Sequence, residues 1–192
     1  MDVRQRLFQY RSYTPIPFLL VMIVFEHPTV VSLIVGIVII LCGESVRLWG
    51  VAIAGSETRT TGPVGGTFLI TTGPFAYVRN PLYVGNMLIY FGVGVMSNAL
   101  FPWLALGALL YFFIQYSFIV SLEEEYLRAK FGETFTQYCL AVPRFVPSIS
   151  RYSAGVNQQP ELEWRRGIIS ERRTLQAIGL LTAALTFLWL RG

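Results

Sequence analysis

Every Lys and Arg in this 192-residue chain except Arg191 falls on one side of a membrane once its apolar runs are laid across a bilayer. A helix needs about 20 apolar residues to cross the hydrocarbon. Thr29 to Ala54 is long enough, and Leu82 to Ala99, Pro102 to Leu122 and Leu175 to Leu190 read as further spans. Pro17 to Phe25 is short. It reaches a crossing length only if Leu7 to Tyr13 join it as an interfacial turn, or if it is one tilted half of a hairpin. His27-Pro28 marks the tight turn before the second span, with Pro28 at its helix start, and Ser97-Asn98 marks the turn between the third and fourth. The fold class is therefore all-α, a polytopic membrane helical bundle of about five transmembrane helices. The charge bias puts the N-terminus and the basic face in the cytoplasm, and the expected location is a bacterial inner membrane.

Composition narrows the alternatives. With 54% hydrophobic and 14% charged residues the chain is too apolar for an ordinary soluble domain. A net charge of +4 could signal nucleic acid, but the arginines flank apolar segments instead of forming a stripe, so no nucleic-acid partner is expected. Cys42, Cys139 and the single His27 form no cluster at ligand spacing, so neither a metal site nor a disulfide framework is expected. Arg4, Arg6 and Arg11 precede an apolar stretch, but Pro15, Pro17 and Glu26-His27-Pro28 interrupt it. A retained first span fits better than a signal peptide.

Gly55 to Pro81 is a loop by its punctuation at Gly62-Pro63, Gly65-Gly66 and Gly73-Pro74. Glu123 to Cys139 reads as an amphipathic helix continuing the fourth span, ended by Pro143 and Pro147, and Ser148 to Glu161 as irregular. The topology brings both polar segments to the same face, where they can build one site.

Candidate chemistry gathers there. Asn80-Pro81 holds an extended residue before a proline suited to a first helical turn, and the N-H groups of that turn beside Arg79 would attract a carboxylate. Phe75, Tyr77 and Tyr83 offer faces for a purine or a cationic sulfonium, although an interfacial aromatic belt with a snorkelling arginine explains the same residues. Glu123, Glu124 and Glu125 point about 100° apart, so they cannot all face one ligand. Glu124 with Arg128 is a favourable i,i+4 pair. Glu44 and Arg47, at i,i+3 near the inner end of the second span, are either a structural pair or part of the site. Gly92 and Gly94 fit close helix packing better than phosphate binding.

Several motifs in fixed order carry a resemblance: Gly43-Glu44 with Arg47-Leu48-Trp49, then Thr72-Gly73-Pro74-Phe75-Ala76-Tyr77-Val78-Arg79-Asn80-Pro81-Leu82-Tyr83-Val84-Gly85, then Glu123-Glu124 with Leu127, Phe131-Gly132, Phe135, Tyr138 and Val142-Pro143. In these the chain resembles the integral-membrane methyltransferases typified by isoprenylcysteine carboxyl methyltransferase, and more closely the bacterial phospholipid methyltransferase-like proteins. The likeness runs from Gly43 to Pro147 and, more weakly, through Trp164 and Glu171.

The resemblance implies a single domain, with a helical hairpin over 1–54, a cofactor-binding core over 55–147, and a cytoplasmic segment with the last span over 148–192. It implies S-adenosylmethionine as cofactor and a lipophilic, membrane-dissolved acceptor (phospholipid, isoprenoid or prenylated compound) reached through the bilayer. By position, Phe68, Leu69, Ile70 and Phe75 would line the cofactor, Asn80, Pro81, Leu82 and Tyr83 would hold its methionine end, and Glu123 or Glu124 would bind its polar groups. Gly73, Tyr77 and Arg79 join these from the reading of the loop itself, and Glu44 and Glu124 are the candidate catalytic carboxylates.

Two departures stand out. The family's Arg-His-Pro is Arg79-Asn80-Pro81 here, and Asn cannot act as a titrating base. Ile119 stands where the prenylcysteine enzymes carry an arginine for the substrate carboxylate, which leaves the acceptor open. Two rival readings fit less well. An NADPH-dependent reductase of the sterol-reductase kind is disfavoured by Asn86 where those proteins carry Glu; a transporter or scaffold is disfavoured because no internal repeat is found.

Overall fold

A computed structural model describes residues 2–55, 68–153 and 159–191. The described residues form helices and irregular segments, with no strand among them. The glycines at 62, 65 and 66 that mark the long loop lie outside the described residues.

The elements in chain order are α1 (Val3–Tyr10), α2 (Pro15–Val24), α3 (Val30–Ala54), a 3₁₀ turn (Gly73–Ala76), α4 (Pro81–Ser97), α5 (Trp103–Ala141) and α6 (Trp164–Arg191). Among the described residues three helices, α3, α5 and α6, are long and apolar enough to cross a bilayer, and α2 and α4 are shorter apolar helices. The short first segment thus resolves into two pieces. Leu7 to Tyr10 belong to a separate helix, N-capped by Asp2, and residues 11–14 turn the chain into α2, which at 10 residues spans only about 15 Å. Two prolines in its first turn set that start.

The second span begins at a Thr29–Ser32 capping box, two residues past Pro28. His27 N–H donates to the Ser97 carbonyl at 3.0 Å and Asn98 Nδ2 donates to the His27 carbonyl at 2.9 Å, so the two turns at the end away from most arginines brace each other. Asn98 sits in the left-handed region that ends α4.

Helices α3 and α4 are the central pair, packed backbone to backbone. A Cβ at Gly43 would lie 2.7 Å from the Gly85 carbonyl oxygen and one at Gly85 2.6 Å from that of Gly43; one turn pair further on, Gly36 and Gly92 repeat this at 2.7 and 2.9 Å. Such approach is open only to glycine, and in a bilayer it replaces the hydrophobic drive that water would supply. The Gly92/Gly94 pair serves two neighbours, Gly92 facing α3 and Gly94 facing Ala105 of α5. Met22, Ile40, Met96, Phe112, Tyr116 and Ile119 fill the core. Helix α6 packs on α3 with Gly167 against Ala52, while the outward faces carry Ile34, Val38, Leu110, Phe113, Leu180 and Phe187, as lipid contact requires.

At 39 residues α5 is about twice as long as the hydrocarbon is thick. Its distal part is amphipathic, as its sequence predicts, but Gly132 (φ +54°, ψ −125°) breaks it. The last turns fold back as a cap over residues 75–80. Tyr138 OH donates to the Phe75 carbonyl at 2.6 Å, Arg79 N–H to that of Pro143 at 2.8 Å, Ser148 N–H to that of Tyr77 at 2.8 Å and Tyr152 N–H to that of Ala76 at 3.0 Å.

Candidate active site

Beneath this cap a cavity of about 890 Å³ runs into the bundle, flanked by α4, α5 and α6 and roofed by α1. Its volume lies within the roughly 300–1,000 Å³ typical of small-molecule sites. Lining residues on α4 run from Pro81 to Val93, about 18 Å along the helix axis, so the cavity starts at the basic end and extends deep into the bundle. Its far part is walled by Ile16, Leu19, Ile89, Val93, Ile178 and Leu181.

The end near the cap holds most of the residues singled out from sequence. Phe68, Leu69, Ile70, Phe75, Arg79, Asn80, Pro81, Leu82, Tyr83, Glu123 and Glu124 all line the cavity. Three do not. Gly73 adopts φ +59° with its missing Cβ aimed at Ile53, Tyr77 packs with Trp49 at 6.5 Å between ring centroids, and Glu44 lies behind Arg47. Gly73 and Tyr77 shape the loop that carries Phe75 and Arg79; Glu44, offered as a catalytic carboxylate, does not face the space where a substrate would sit.

The three successive glutamates point three ways, as helical spacing demands. Glu125 is exposed and pairs with Arg4 at 2.9 Å. Glu124 is buried and pairs with Arg79 (3.0 Å) and Arg144 (2.5 Å), not with Arg128, whose guanidinium lies over the Phe135 ring. Glu123 accepts a 2.7 Å hydrogen bond from Tyr83 OH inside the cavity. Glu123 and Glu124 both line the cavity, but Glu123 is hydrogen-bonded to a neutral partner, whereas Glu124 is neutralised by two guanidinium groups and serves to hold the cap. Arg79 does the same, donating Nη1 to the Cys139 and Val142 carbonyls at 2.8 and 2.6 Å. Asn80 adds a third tie, Nδ2 to the Arg144 carbonyl at 3.1 Å, and makes no side-chain cap to α4. The first-turn amides of α4 thus present their partial positive charge to the cavity mouth.

Sequence reasoning under-weighted a second polar group deeper in. Arg47 on α3 pairs with Glu171 on α6 at 2.7 Å, stands 3.6 Å from Glu44, and hydrogen-bonds to Asn86 on α4 by a short contact. Tyr90 on α4 and Tyr116 on α5 line the same cavity. The available signal was a lone acid among the arginines of α6 and a lone amide in an apolar helix; nothing local ties either to Arg47. Ile119 is fully buried in the apolar core. Among the described residues no group of three or more His, Cys, Asp or Glu side chains is placed to hold a metal ion.

The fold is thus a bundle with long apolar helices that encloses a cavity charged at the capped end and walled by apolar side chains at the other. The chain belongs to the phospholipid methyltransferase family, matching its profile over residues 31–134. It is 34% identical over 107 residues to the cobalt-zinc-cadmium resistance protein CzcN of Cupriavidus metallidurans, covering 55% of this chain and 44% of that protein. It is 35% identical over 86 residues to the nickel-cobalt-cadmium resistance protein NccN of Alcaligenes xylosoxydans xylosoxydans (45% and 39%). To the protein-S-isoprenylcysteine O-methyltransferase of Schizosaccharomyces pombe it is 35% identical over 81 residues (42% and 34%). The matches thus span less than half the length of these curated relatives.

Proposed function

We propose that the protein transfers a methyl group from S-adenosylmethionine to a lipophilic acceptor dissolved in the membrane. The observation that carries this reading is a cavity that is charged and hydrogen-bonding at the basic end, passes a cluster of polar side chains and ends between apolar walls, in a chain of methyltransferase family. The residues present suit the cofactor's chemistry. The α4 first-turn amides suit a carboxylate, Glu123 suits an ammonium or hydroxyl group, and Phe75 with Tyr83 offers ring faces to a purine or a sulfonium.

The cofactor supplies a methyl group on a sulfonium whose positive charge disappears on transfer. The protein's task is then alignment and exclusion of water. Arg79, Glu124 and Arg144 lock the cap, which fixes Asn80 to Tyr83 at the mouth. Glu123, oriented by Tyr83 OH, is the group placed to accept a proton from an acceptor that must lose one. We read residues 55–147 as the cofactor-binding core, with the cap on the cytoplasmic side of a bacterial inner membrane.

Titration calorimetry of the purified protein with S-adenosylmethionine tests the first half. Incubation with methyl-labelled cofactor and a total lipid extract tests the second. Absence of cofactor binding sinks the reading; binding without any labelled lipid product removes the lipophilic acceptor.

A further inference from the structure

We infer that the Arg47–Glu171–Asn86 cluster is a second binding subsite, adjoining the cofactor end of the same cavity, which takes the neutral hydroxyl group of an apolar acceptor, an alcohol or phenol. This rests on the proposed methyl transfer and names its acceptor class: the hydroxyl oxygen would gain the methyl group and lose its proton to Glu123, whose partner Tyr83 packs on Tyr116 at 4.6 Å between ring centroids. Asn86 and Tyr90 lie five and nine residues past Pro81 on α4, about 8 and 14 Å along the axis, well inside the hydrocarbon. Four helices each send a polar side chain to this depth, Arg47 from α3, Asn86 from α4, Tyr116 from α5 and Glu171 from α6, and all four line the cavity. Polar groups there are costly to keep unless they serve one another or a ligand. Arg47 and Asn86 keep partial exposure to the cavity, whereas Glu171 and Tyr116 are buried at its wall.

Charge and depth select the ligand. Two carboxylates flank one guanidinium, which is already engaged by Glu171, Asn86 and Glu44, so a carboxylate ligand meets net repulsion. An amine is protonated at neutral pH and would have to carry its charge to mid-bilayer. A phospholipid headgroup is bound to the interface by its phosphate. A hydroxyl is neutral and both donates and accepts, which suits the partly exposed Arg47, Asn86 and Tyr90 side chains, while Glu171 is buried behind them and holds Arg47. The walls beyond it, Ile89, Val93, Ile178 and Leu181, suit an alkyl or isoprenoid body.

The test uses the full chain in lipid nanodiscs and 1-hexadecanol carrying a mid-chain diazirine, with photolabelled peptides mapped by mass spectrometry. Labels are expected on α4 and α6 cavity residues and are competed by 1-hexadecanol but not by palmitate or hexadecyltrimethylammonium. Asn86→Leu and Glu171→Gln are each expected to cut cavity labelling on the order of tenfold, the loss of a buried hydrogen bond. Tyr90→Phe, which removes one hydroxyl and little packing, keeps the test open if Glu171→Gln fails to accumulate; it is expected to cut labelling severalfold. Competition by palmitate or by the ammonium as strong as by the alcohol overturns the inference, as does wild-type labelling in these variants. Calorimetry with S-adenosylmethionine on the same samples separates the two readings: labelling without cofactor binding leaves the subsite standing and removes the methyl transfer, and cofactor binding without cavity labelling does the reverse.

Discussion

Replacing Glu124 by Gln removes one charge from a three-member network and leaves its volume unchanged. Glu124 and Arg79 side chains are 9% and 12% exposed, so their 3.0 Å pair is largely desolvated, whereas Arg144, at 40%, reaches solvent. Breaking a buried pair by removing one partner costs about 3–5 kcal/mol, mostly the stranded charge. Arg79 keeps the Cys139 and Val142 carbonyls, and Gln can still accept, so about 2–3 kcal/mol is expected for Glu124→Gln. Arg144→Gln, on the exposed arm, should cost less than about 1 kcal/mol. Reversible SDS-titrated unfolding in mixed micelles, followed by tryptophan fluorescence, measures both. An Arg79→Gln/Glu124→Gln cycle should give a coupling above about 1 kcal/mol. Equal losses for Glu124→Gln and Arg144→Gln, or no coupling to Arg79, would refute the view that the buried arm holds the cap.

Three further outcomes are expected. Gly85→Ala, whose Cβ would meet the Arg47 side chain at 2.4 Å and the Gly43 carbonyl at 2.6 Å, should lower stability by about 1–3 kcal/mol in the same assay, while Gly107→Ala, with nothing within 4 Å, should be neutral or mildly stabilising. Glu123→Gln should leave stability nearly unchanged yet weaken calorimetric S-adenosylmethionine affinity about tenfold; unchanged affinity would remove Glu123 from the cofactor end. A cysteine at the fully exposed Ile149, in a Cys42→Ser/Cys139→Ser background, should react with an impermeant maleimide in inside-out but not right-side-out vesicles, and the reverse result would invert the orientation.

Local pattern carried the helices wherever one rule sufficed. Span lengths follow from apolar run lengths, the start of α4 from Asn80-Pro81, and the divergence of Glu123, Glu124 and Glu125 from helical spacing. Capping was legible only in part: the box at Thr29 and Ser32, not Pro28, starts α3. Pairing over long separations was not legible. Glu124 has an attractive local partner in Arg128, but Arg79 and Arg144, 45 and 20 residues away, hold it, because the cap brings them to the buried side of the helix. Glu44 and Arg47 read equally as a structural pair or part of the site; that Glu171, 124 residues on from Arg47, joins them was not legible.

The sequence by itself determined that this chain is a helical membrane protein and where its main apolar helices lie, since hydrophobic length and proline or glycine punctuation act locally, though not the separate helix at Val3–Tyr10 or the start of the last helix at Trp164. Only the tertiary structure decided which carboxylate keeps a neutral partner and which is spent on holding the cap. That choice depends on the rotation of α5 about its axis, set by its packing against α4 and by the fold-back after Gly132, and no spacing along the chain records it.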